Sequence, residues 1–222
     1  MSRPTSEDAR ESEASRSLDT GMGRELPAML SVLGREAGGI EVIVGSMFSG
    51  KTEELIRRVK RALFARQKVQ AFKPRIDNRY HATKIVSHGA ISIEAVAVAT
   101  SDSLIGRIEA GTQVVAIDEA QFFDRGIVEV CERLANEGRR VLVAGLDQDY
   151  LGRPFAPMPE LMAIAEDVTK VRAVCAMCGR PASRSQRIVS ASATVLVGGV
   201  DTYEARCRTC FQPRDVPPSP DR

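Results

Sequence analysis

Short runs of β-branched residues alternate with longer amphipathic segments along most of the chain, beginning at Ile40. These runs predict strands, and because they lack strict alternation of polar and apolar residues, we expect strands buried on both faces. The predicted strands are residues 40–44, 68–72, 91–98, 113–117 and 140–144. Strands of this kind are typical of a parallel sheet.

Two segments between these strands have the spacing of amphipathic helices. Residues 53–64 and residues 124–137 both repeat apolar side chains at intervals of three and four, which places them on one helical face. Parallel neighbouring strands need crossover connections, and helices usually provide them. The alternation therefore predicts an α/β fold with a parallel sheet and crossover helices.

The composition narrows the classes of function. The chain has 222 residues of which 43% are hydrophobic, enough to build a core. The chain has 31 Lys and Arg residues and 29 Asp and Glu residues. The two signs nearly balance, so the protein has no large electric field of one sign that could hold nucleic acid or an anionic membrane by charge alone. No apolar stretch approaches the roughly 20 residues that span a bilayer, and the N-terminal residues do not resemble a secretory signal. We expect a cytoplasmic protein that binds neither nucleic acid nor membrane.

The two ends of the chain differ from the rest. Residues 1–38 hold five basic and seven acidic residues among many serines and glycines, and residues 214–222 are rich in proline. Segments of this composition bury too little apolar surface to fold. Both are predicted to be disordered tails. An over-long start assignment is an alternative explanation of the first, since Met22 and Met29 lie downstream.

Residues 45–52 match the phosphate-loop pattern G-x-x-x-x-G-K-[ST]. A predicted strand runs into the motif and an amphipathic helix leaves it, as phosphate binding at a helix N-terminus requires. Its backbone N–H groups would converge on phosphate oxygens, with Lys51 on the terminal phosphates and the Thr52 hydroxyl on Mg²⁺. The alternative is a glycine turn with an incidental lysine. The candidate ligands are Gly45, Ser46, Met47, Phe48, Ser49, Gly50, Lys51 and Thr52.

A second acidic motif follows the apolar strand 113–117. Asp118 and Glu119 stand at its carboxyl end, where parallel strands present ligand groups. Asp118 suits the Walker-B role of holding Mg²⁺, and Glu119 is free to accept a proton. The alternative is that both carboxylates form a solvated strand end.

Four of the five cysteines form two Cys-x-x-Cys pairs separated by 28 residues. This pattern predicts a closed, structural zinc site with four thiolate ligands, and the long separation indicates a loop held at its base. The predicted ligands are Cys175, Cys178, Cys207 and Cys210. Two redox pairs or buried free thiols are the alternative. Cys131 lies on the apolar face of its helix and is expected in the core.

Several ordered blocks in residues 40–213 resemble the type II thymidine kinase family. Beyond the phosphate loop and the cysteine pairs, they are residues 73–80, 87–89, 117–123, 145–147, 152–155 and 198–203. The resemblance implies a P-loop (RecA-like) domain over residues 39–170 and a small zinc-bound lasso domain over residues 171–213. Ser46 departs from the family pattern, in which many members have proline.

The resemblance also implies a reaction. Members transfer the γ-phosphoryl of Mg²⁺-bound ATP to the 5′-hydroxyl of thymidine or deoxyuridine, and Glu119 matches the general base. Asp77 matches a residue of the Mg²⁺ shell, with Thr52 and Asp118, although a local ion pair with Arg79 is an alternative. The ATP site implied beyond the phosphate loop comprises Arg79, Asp118, Glu119, Ala120 and Gln121.

The nucleoside pocket is implied in the same way. Apolar and aromatic side chains suit the flat face and methyl group of thymine, and backbone amides of residues 196–203 would bind the pyrimidine edge. The matching residues are Met47, Phe122, Leu146, Tyr150, Leu196, Gly198 and Tyr203. Any one of the apolar members is alternatively a core residue. The family also implies a homotetramer.

Two other functions compete with this interpretation. The sequence Asp-Glu-Ala-Gln at residues 118–121 also resembles a helicase motif, so a DNA-dependent P-loop ATPase with a zinc ribbon is one alternative. A zinc-ribbon interaction module beside a degenerate nucleotide domain is the other. The chain lacks an evident second motor domain and strand-binding groove, which favours the kinase.

Overall fold

The computed structural model describes residues 38–76, 84–86, 92–189 and 201–213. Four of the predicted site residues lie outside these ranges, namely Asp77, Arg79, Leu196 and Gly198. The predicted C-terminal tail and all of the predicted N-terminal tail except Gly38 lie outside them as well.

Within the described ranges, six strands form one fully parallel sheet in the order β5-β2-β6-β7-β1-β8. They are β1 (Gly39–Val44), β2 (Val69–Pro74), β5 (Val96–Val98), β6 (Val114–Ile117), β7 (Arg140–Gly145) and β8 (Asp167–Lys170). The central strand β7 lies between β1 and β6, so the loops after β1 and β6 emerge at the same edge of the sheet on either side of β7.

Helices cover both faces of this sheet. They are α1 (Lys51–Phe64), α2 (Ser101–Ile105), α3 (Ile127–Asn136) and α4 (Met158–Ile164). Successive strand residues point to opposite faces, so Ile43 packs in the cluster of Leu55 and Ile56 of α1, whereas Val42 packs in the cluster of Leu134 of α3 and Leu161 of α4. Burial on both faces is why the strands show no polar alternation.

Most predicted elements are confirmed, with small shifts at their ends. The first helix starts at Lys51, because its first turn belongs to the phosphate loop. The second predicted helix starts only at Ile127, because the Asp124 carboxylate instead accepts hydrogen bonds from the backbone N–H groups of Ser101 and Gly126.

The prediction of one strand over residues 91–98 was wrong. Two short strands replace it, with Ala95 between them: β4 (Ser92–Glu94) pairs antiparallel with β3 (Lys84–Val86), and β5 joins the large sheet. Each segment holds isoleucine or valine beside small or polar residues, so its composition does not specify the partner strand. Only their pairing with different strands, β4 with β3 and β5 with β2, distinguishes the two segments.

The cysteine-bearing part of the chain contains two small antiparallel sheets. One pairs β9 (Ala173–Val174) with β10 (Pro181–Ala182), and the other pairs β11 (Arg184–Arg187) with β12 (Tyr203–Arg206). Its buried cluster consists of Ala173, Cys175, Ala182, Ala205 and Cys207. Across the described ranges of the chain, no helix has the length and apolar character needed to cross a membrane.

Candidate active site

The phosphate loop connects β1 to α1, and two glycines set its path. Gly45 has φ 154°, and a Cβ atom there would lie 2.3 Å from the backbone oxygen of Val171, so no larger residue fits. Gly50 adopts the left-handed conformation, with φ 86°, immediately before the first helical residue. Gly45 therefore requires glycine because the Val171 backbone approaches it closely, and Gly50 favours glycine because of its left-handed conformation.

Lys51 is folded back over this loop. Its Nζ donates a hydrogen bond to the Ser46 carbonyl at 2.8 Å, and the Ser49 hydroxyl donates to the same oxygen at 2.7 Å. The loop borders an open cleft, which is lined by Met47, Phe48, Ser49, Gly50, Lys51, Thr52, Glu53, Glu119 and Leu146. The predicted lysine therefore lies at the wall of the cleft that the loop forms.

Thr52 and Asp118 meet at the end of this cleft. The Thr52 hydroxyl donates to Asp118 Oδ2 at 3.2 Å, although 66 residues separate the two in sequence. Asp118 is buried, and its other oxygen accepts a hydrogen bond from the Glu119 backbone N–H at 2.9 Å. A hydroxyl and a carboxylate are the hard oxygen donors that Mg²⁺ prefers, so these two residues fit a magnesium site.

Glu119 has an unusual backbone conformation. Its φ of 51° and ψ of 42° are left-handed, which costs a non-glycine residue about 1–2 kcal/mol. Such outliers cluster at functional sites, where the surrounding structure holds them. The side chain is half-buried and lines the cleft beside the phosphate loop. The structure thus places the predicted base beside the predicted phosphate site.

The two residues after Glu119 do not face the phosphate loop. Ala120 and Gln121 are buried in a short 3₁₀ turn, Ala120–Phe122, and Ala120 packs in the hydrophobic core. The Gln121 amide donates from Nε2 to Glu119 Oε2 at 2.5 Å and accepts at Oε1 from the Leu146 N–H at 2.9 Å. Both ends of the Gln121 amide therefore have partners other than a ligand.

The described aromatic residues of the predicted nucleoside pocket form two groups. The Phe122 ring meets Phe155 edge to face, with centroids 6.1 Å apart. Tyr150 and Tyr203 are joined by Arg187, whose guanidinium lies 3.6 Å from the Tyr150 ring centroid and donates to the Tyr203 hydroxyl at 3.1 Å. Such cation–π stacking is strongest where the cation is desolvated.

Arg187 and Phe155 were not among the predicted site residues. Phe155 lies in one of the blocks that resemble the family, which was a usable signal. Arg187 is buried, with 6% of its surface exposed, and it lies in a short strand with no motif around it. The sequence carries no signal that would have identified Arg187.

The phosphate loop also contacts the cysteine-bearing part of the chain. The Met47 backbone N–H donates to the Ser185 hydroxyl of β11 at 3.0 Å, and 138 residues separate this pair. Phe48, in a left-handed conformation with φ 63°, packs against the cluster that contains Cys175 and Cys207. The two predicted functional regions therefore share an interface at the loop itself.

The four predicted zinc ligands come together. Their sulfur atoms all lie within 4.8 Å of one another, and Cys178 Sγ is 3.6 Å from Cys207 Sγ. A tetrahedral zinc ion with Zn–S bonds of about 2.3 Å places its sulfurs about 3.8 Å apart, so the cluster fits such an ion. Burial opposes ionisation of Cys175, but backbone hydrogen bonds at Cys207, Met177 and Cys178 outweigh it and lower the pKa of this thiol to about 6.

Cys131 behaves differently from these four cysteines. It is fully buried in α3 within the large hydrophobic core, and burial raises the pKa of its thiol to about 12. A thiol in this state is inert. The prediction that Cys131 belongs to the core is confirmed.

Comparison with known proteins assigns the family. A model of the thymidine kinase family matches residues 38–211. The chain belongs to the thymidine kinase family. It is 55% identical over 180 residues to a thymidine kinase of Rhodothermus sp. (strain ITI 518). The aligned residues make up 81% of this chain and 84% of that relative.

A solved structure gives only a weak similarity. Domain III of the replication initiation protein DnaA from Thermotoga maritima superposes with a TM-score of 0.39 at 13% identity, covering 69% of this chain and 64% of that one. A similarity this weak does not support an assignment of function.

Membership of the thymidine kinase family confirms the predicted family and the predicted class of enzyme, a phosphotransferase. The comparisons favour neither a DNA-dependent ATPase nor a zinc-ribbon interaction module. Around one cleft, the structure of this family member brings together the phosphate loop, Asp118, Glu119 and Leu146.

Proposed function

We propose that the protein transfers the γ-phosphoryl group of ATP to the 5′-hydroxyl of thymidine or deoxyuridine and so forms the nucleoside monophosphate. The observation that carries the proposal is the position of Glu119. Its carboxylate lines the same cleft as the phosphate loop, next to the hydrogen-bonded Thr52 and Asp118. A phosphate site, a metal site and a proton acceptor are the parts that phosphoryl transfer to an alcohol requires.

The phosphate loop would bind the triphosphate of ATP. Its backbone N–H groups converge at the N-terminus of α1, where the helix dipole also favours negative charge. Lys51 would exchange its bond to the Ser46 carbonyl for terminal phosphate oxygens. Thr52 and Asp118 would hold the magnesium ion, which when bound neutralises charge on the phosphates. Asp77 and Arg79 remain predicted members of this site.

Glu119 would act on the acceptor hydroxyl. A carboxylate within hydrogen-bonding distance of the 5′-hydroxyl orients the oxygen for in-line attack and takes its proton as the new bond forms. The fixed backbone of Glu119 restricts where this carboxylate can go. That restriction favours positioning, which supplies most of the catalysis in phosphoryl transfer.

The pyrimidine would lie beside this carboxylate. Leu146 lines the cleft next to Glu119, and Met47 belongs to the adjacent loop. Phe122, Tyr150 and Tyr203 would contribute the aromatic surface. Leu196 and Gly198, with the backbone amides around them, remain predictions for recognition of the base edge.

A zinc ion bound by the four cysteines would have a structural role. Four thiolates fill a tetrahedral coordination sphere and leave no position for a substrate. The ion would hold residues 180–206 at their base and support the phosphate loop through Phe48. The homotetramer and the cytoplasmic location also remain predictions.

A coupled assay with ATP and each of the four deoxynucleosides tests this function. We expect activity with thymidine and deoxyuridine, and a kcat about 10²- to 10⁴-fold lower in Glu119→Gln with ATP affinity retained. Glu129→Gln, which changes an exposed carboxylate on α3, is the matched control and should behave like wild type. ATP turnover that depends on DNA and ignores thymidine would contradict the proposal.

A further inference from the structure

Gln121 connects the proposed base to the end of the central strand β7. Its side chain is buried, with 3% of the residue exposed. Nε2 donates to Glu119 Oε2 at 2.5 Å, and Oε1 accepts from the backbone N–H of Leu146 at 2.9 Å. Leu146 follows β7 directly and is 25 residues away in sequence. The amide thus bridges two walls of the same cleft.

The chemistry of the two partners determines which way this amide faces. A carboxylate accepts hydrogen bonds and a backbone N–H group donates them. Reversing the amide of Gln121 would set oxygen against the Glu119 carboxylate and NH₂ against the Leu146 N–H, so both contacts would become repulsive. The orientation of the Gln121 amide therefore follows from its two partners.

The Gln121 side chain packs closely against the end of β7. A Cβ atom at Gly145, the last residue of β7, would lie 2.8 Å from Gln121 Oε1 and 2.6 Å from Met158 Sδ. Glycine at this position lets the glutamine side chain approach the strand closely. The backbone N–H of Glu119 is meanwhile held by Asp118 Oδ1 at 2.9 Å. Glu119 is therefore fixed at its backbone by Asp118 and at its carboxylate by Gln121.

We infer that Gln121 is a positioning residue, which holds the Glu119 carboxylate for the acceptor hydroxyl and does not bind ATP as the sequence implied. The inference rests on the proposed function. A carboxylate with several rotamers loses catalytic power when it is not held, and a displacement of about 1 Å is enough to lower a rate about 100-fold. Losing Gln121 should therefore lower kcat and leave both KM values almost unchanged.

Two variants of Gln121 test this role by different means. Gln121→Met has a similar length and removes both hydrogen bonds. Gln121→Glu keeps an acceptor for the Leu146 N–H but places a second carboxylate against Glu119. We expect kcat to fall about 10- to 100-fold in both, with the KM values for ATP and thymidine within about threefold of wild type. If one variant fails to fold, the other still gives the result.

Gln70→Met is the matched control. The Gln70 side chain also bridges two segments, donating to the Arg107 carbonyl and accepting from the Glu109 N–H and the Thr112 hydroxyl. It lies away from the cleft, so its loss should lower Tm without changing kcat. A Gln121 variant that loses Tm like Gln70→Met and keeps the wild-type kcat would overturn the inference. A raised KM for ATP at unchanged kcat would overturn it too, in favour of phosphate binding.

A double-mutant cycle with Glu119→Ala tests whether Gln121 affects kcat through Glu119. If Gln121 acts through Glu119, adding Gln121→Met to Glu119→Ala should lower the residual kcat by less than about twofold. A full additional loss would show that Gln121 acts independently and would overturn the inference. Absence of thymidine phosphorylation in the wild-type protein is a separate result, which refutes the proposed function itself.

Discussion

The large parallel sheet and the cysteine-bearing region are stabilised in different ways. The sheet buries large aliphatic side chains on both faces, such as Ile43 against α1 and Ile117 in the cluster that contains α3. The apolar cluster around the cysteines consists only of alanines and cysteines, with Phe48 packed against it. A cluster of such small side chains offsets little of the entropy of ordering the loops around it. The sheet is therefore stabilised by apolar burial, whereas a metal ion bound by the four cysteines would stabilise the second region.

The two regions nevertheless share the phosphate loop. Gly45 continues β1 of the sheet, whereas Met47 and Phe48 contact β11 and the cysteine cluster. The conformation of the loop thus depends on both kinds of stabilisation. Disturbing either region should affect ATP binding, but with different signatures.

The largest expected effect is loss of the metal site. Cys178→Ser, or removal of the metal by a chelator, should abolish zinc binding and make residues 171–213 sensitive to protease. Structural zinc contributes about 10–16 kcal/mol to small zinc-dependent domains. Metal content by mass spectrometry and limited proteolysis measure the outcome, together with the Kd for ATP, which should rise because Phe48 loses its packing surface.

Cys131→Ala is the control for this prediction. It removes a thiol from the core of the sheet and should leave the zinc content at the wild-type value. A Cys178→Ser protein that is demonstrably free of zinc, yet keeps full protease resistance and ATP affinity, would contradict the comparison of the two regions.

A core substitution in the sheet should give the next largest effect. Phe72 in β2 is fully buried, and Phe72→Ala should lower the free energy of unfolding by about 3–5 kcal/mol because it leaves a cavity. Chemical denaturation measures this change. Zinc content should stay at the wild-type value, because the cysteine cluster does not include this residue.

The matched control for Phe72 is Phe64 at the end of α1, which is 92% exposed. Phe64→Ala should change the free energy of unfolding by less than about 0.5 kcal/mol. Equal losses in the two variants would show that the sheet does not depend on burial at β2.

A smaller effect is expected where the two regions touch. Ser185→Ala removes the acceptor for the Met47 backbone N–H, and one such hydrogen bond contributes about 1 kcal/mol. The Kd for ATP, measured by calorimetry, should rise about fivefold if this energy holds the loop in its binding conformation. Ser92→Ala, an exposed position in β4, should leave the Kd unchanged. An unchanged Kd in Ser185→Ala would mean that the loop is held from the sheet side alone.

The smallest effect concerns acid stability on α1. A hydrogen bond from Arg57 lowers the pKa of Glu54 from 4.5 to about 2. Burial of the carboxylate opposes this shift, and a second hydrogen bond from Arg58 adds to it. A carboxylate with a depressed pKa stabilises the fold above its unfolded pKa and loses that contribution as pH falls through its folded pKa. The Tm difference between wild type and Glu54→Gln should be present at neutral pH and shrink between about pH 4.5 and pH 2.

Any pH dependence of the cysteine cluster affects wild type and Glu54→Gln equally, so the difference in Tm isolates Glu54. Because Arg57 is exposed, solvent screens the ion pair and we expect its contribution to stability to be small. Glu132→Gln, at an exposed position on α3, is the control. A Tm difference that stays constant down to pH 2 would show that Glu54 does not stabilise the fold through its charge.

The parts of the candidate site that could be predicted from the sequence are those whose residues lie within a few consecutive positions. The phosphate loop needs its glycines, Lys51 and Thr52 at fixed spacing, and each cysteine pair needs its own two-residue gap. The pairing of Thr52 with Asp118 was predictable too, because both follow strands of one parallel sheet. Such patterns are visible in sequence because the geometry is local or is imposed by the fold class.

The remaining contacts depend on which strands become neighbours. The bridge from Glu119 through Gln121 to Leu146 exists because β6 lies beside β7, and Arg187 stacks on Tyr150 because β11 folds back toward the sheet. Hydrophobic periodicity reports how deeply a residue is buried and not which residue it meets. For the same reason, it did not separate β4 from β5.

Sequence alone thus determined the family and the class of reaction, and it singled out the candidate metal-binding and phosphate-binding residues, because each is recorded in short motifs of fixed spacing. The tertiary structure alone decided how Glu119 is held and how the cysteine cluster packs against Phe48 of the phosphate loop. The contact between Met47 and Ser185 joins residues 138 positions apart, and closing a loop of that length is a property of the whole fold.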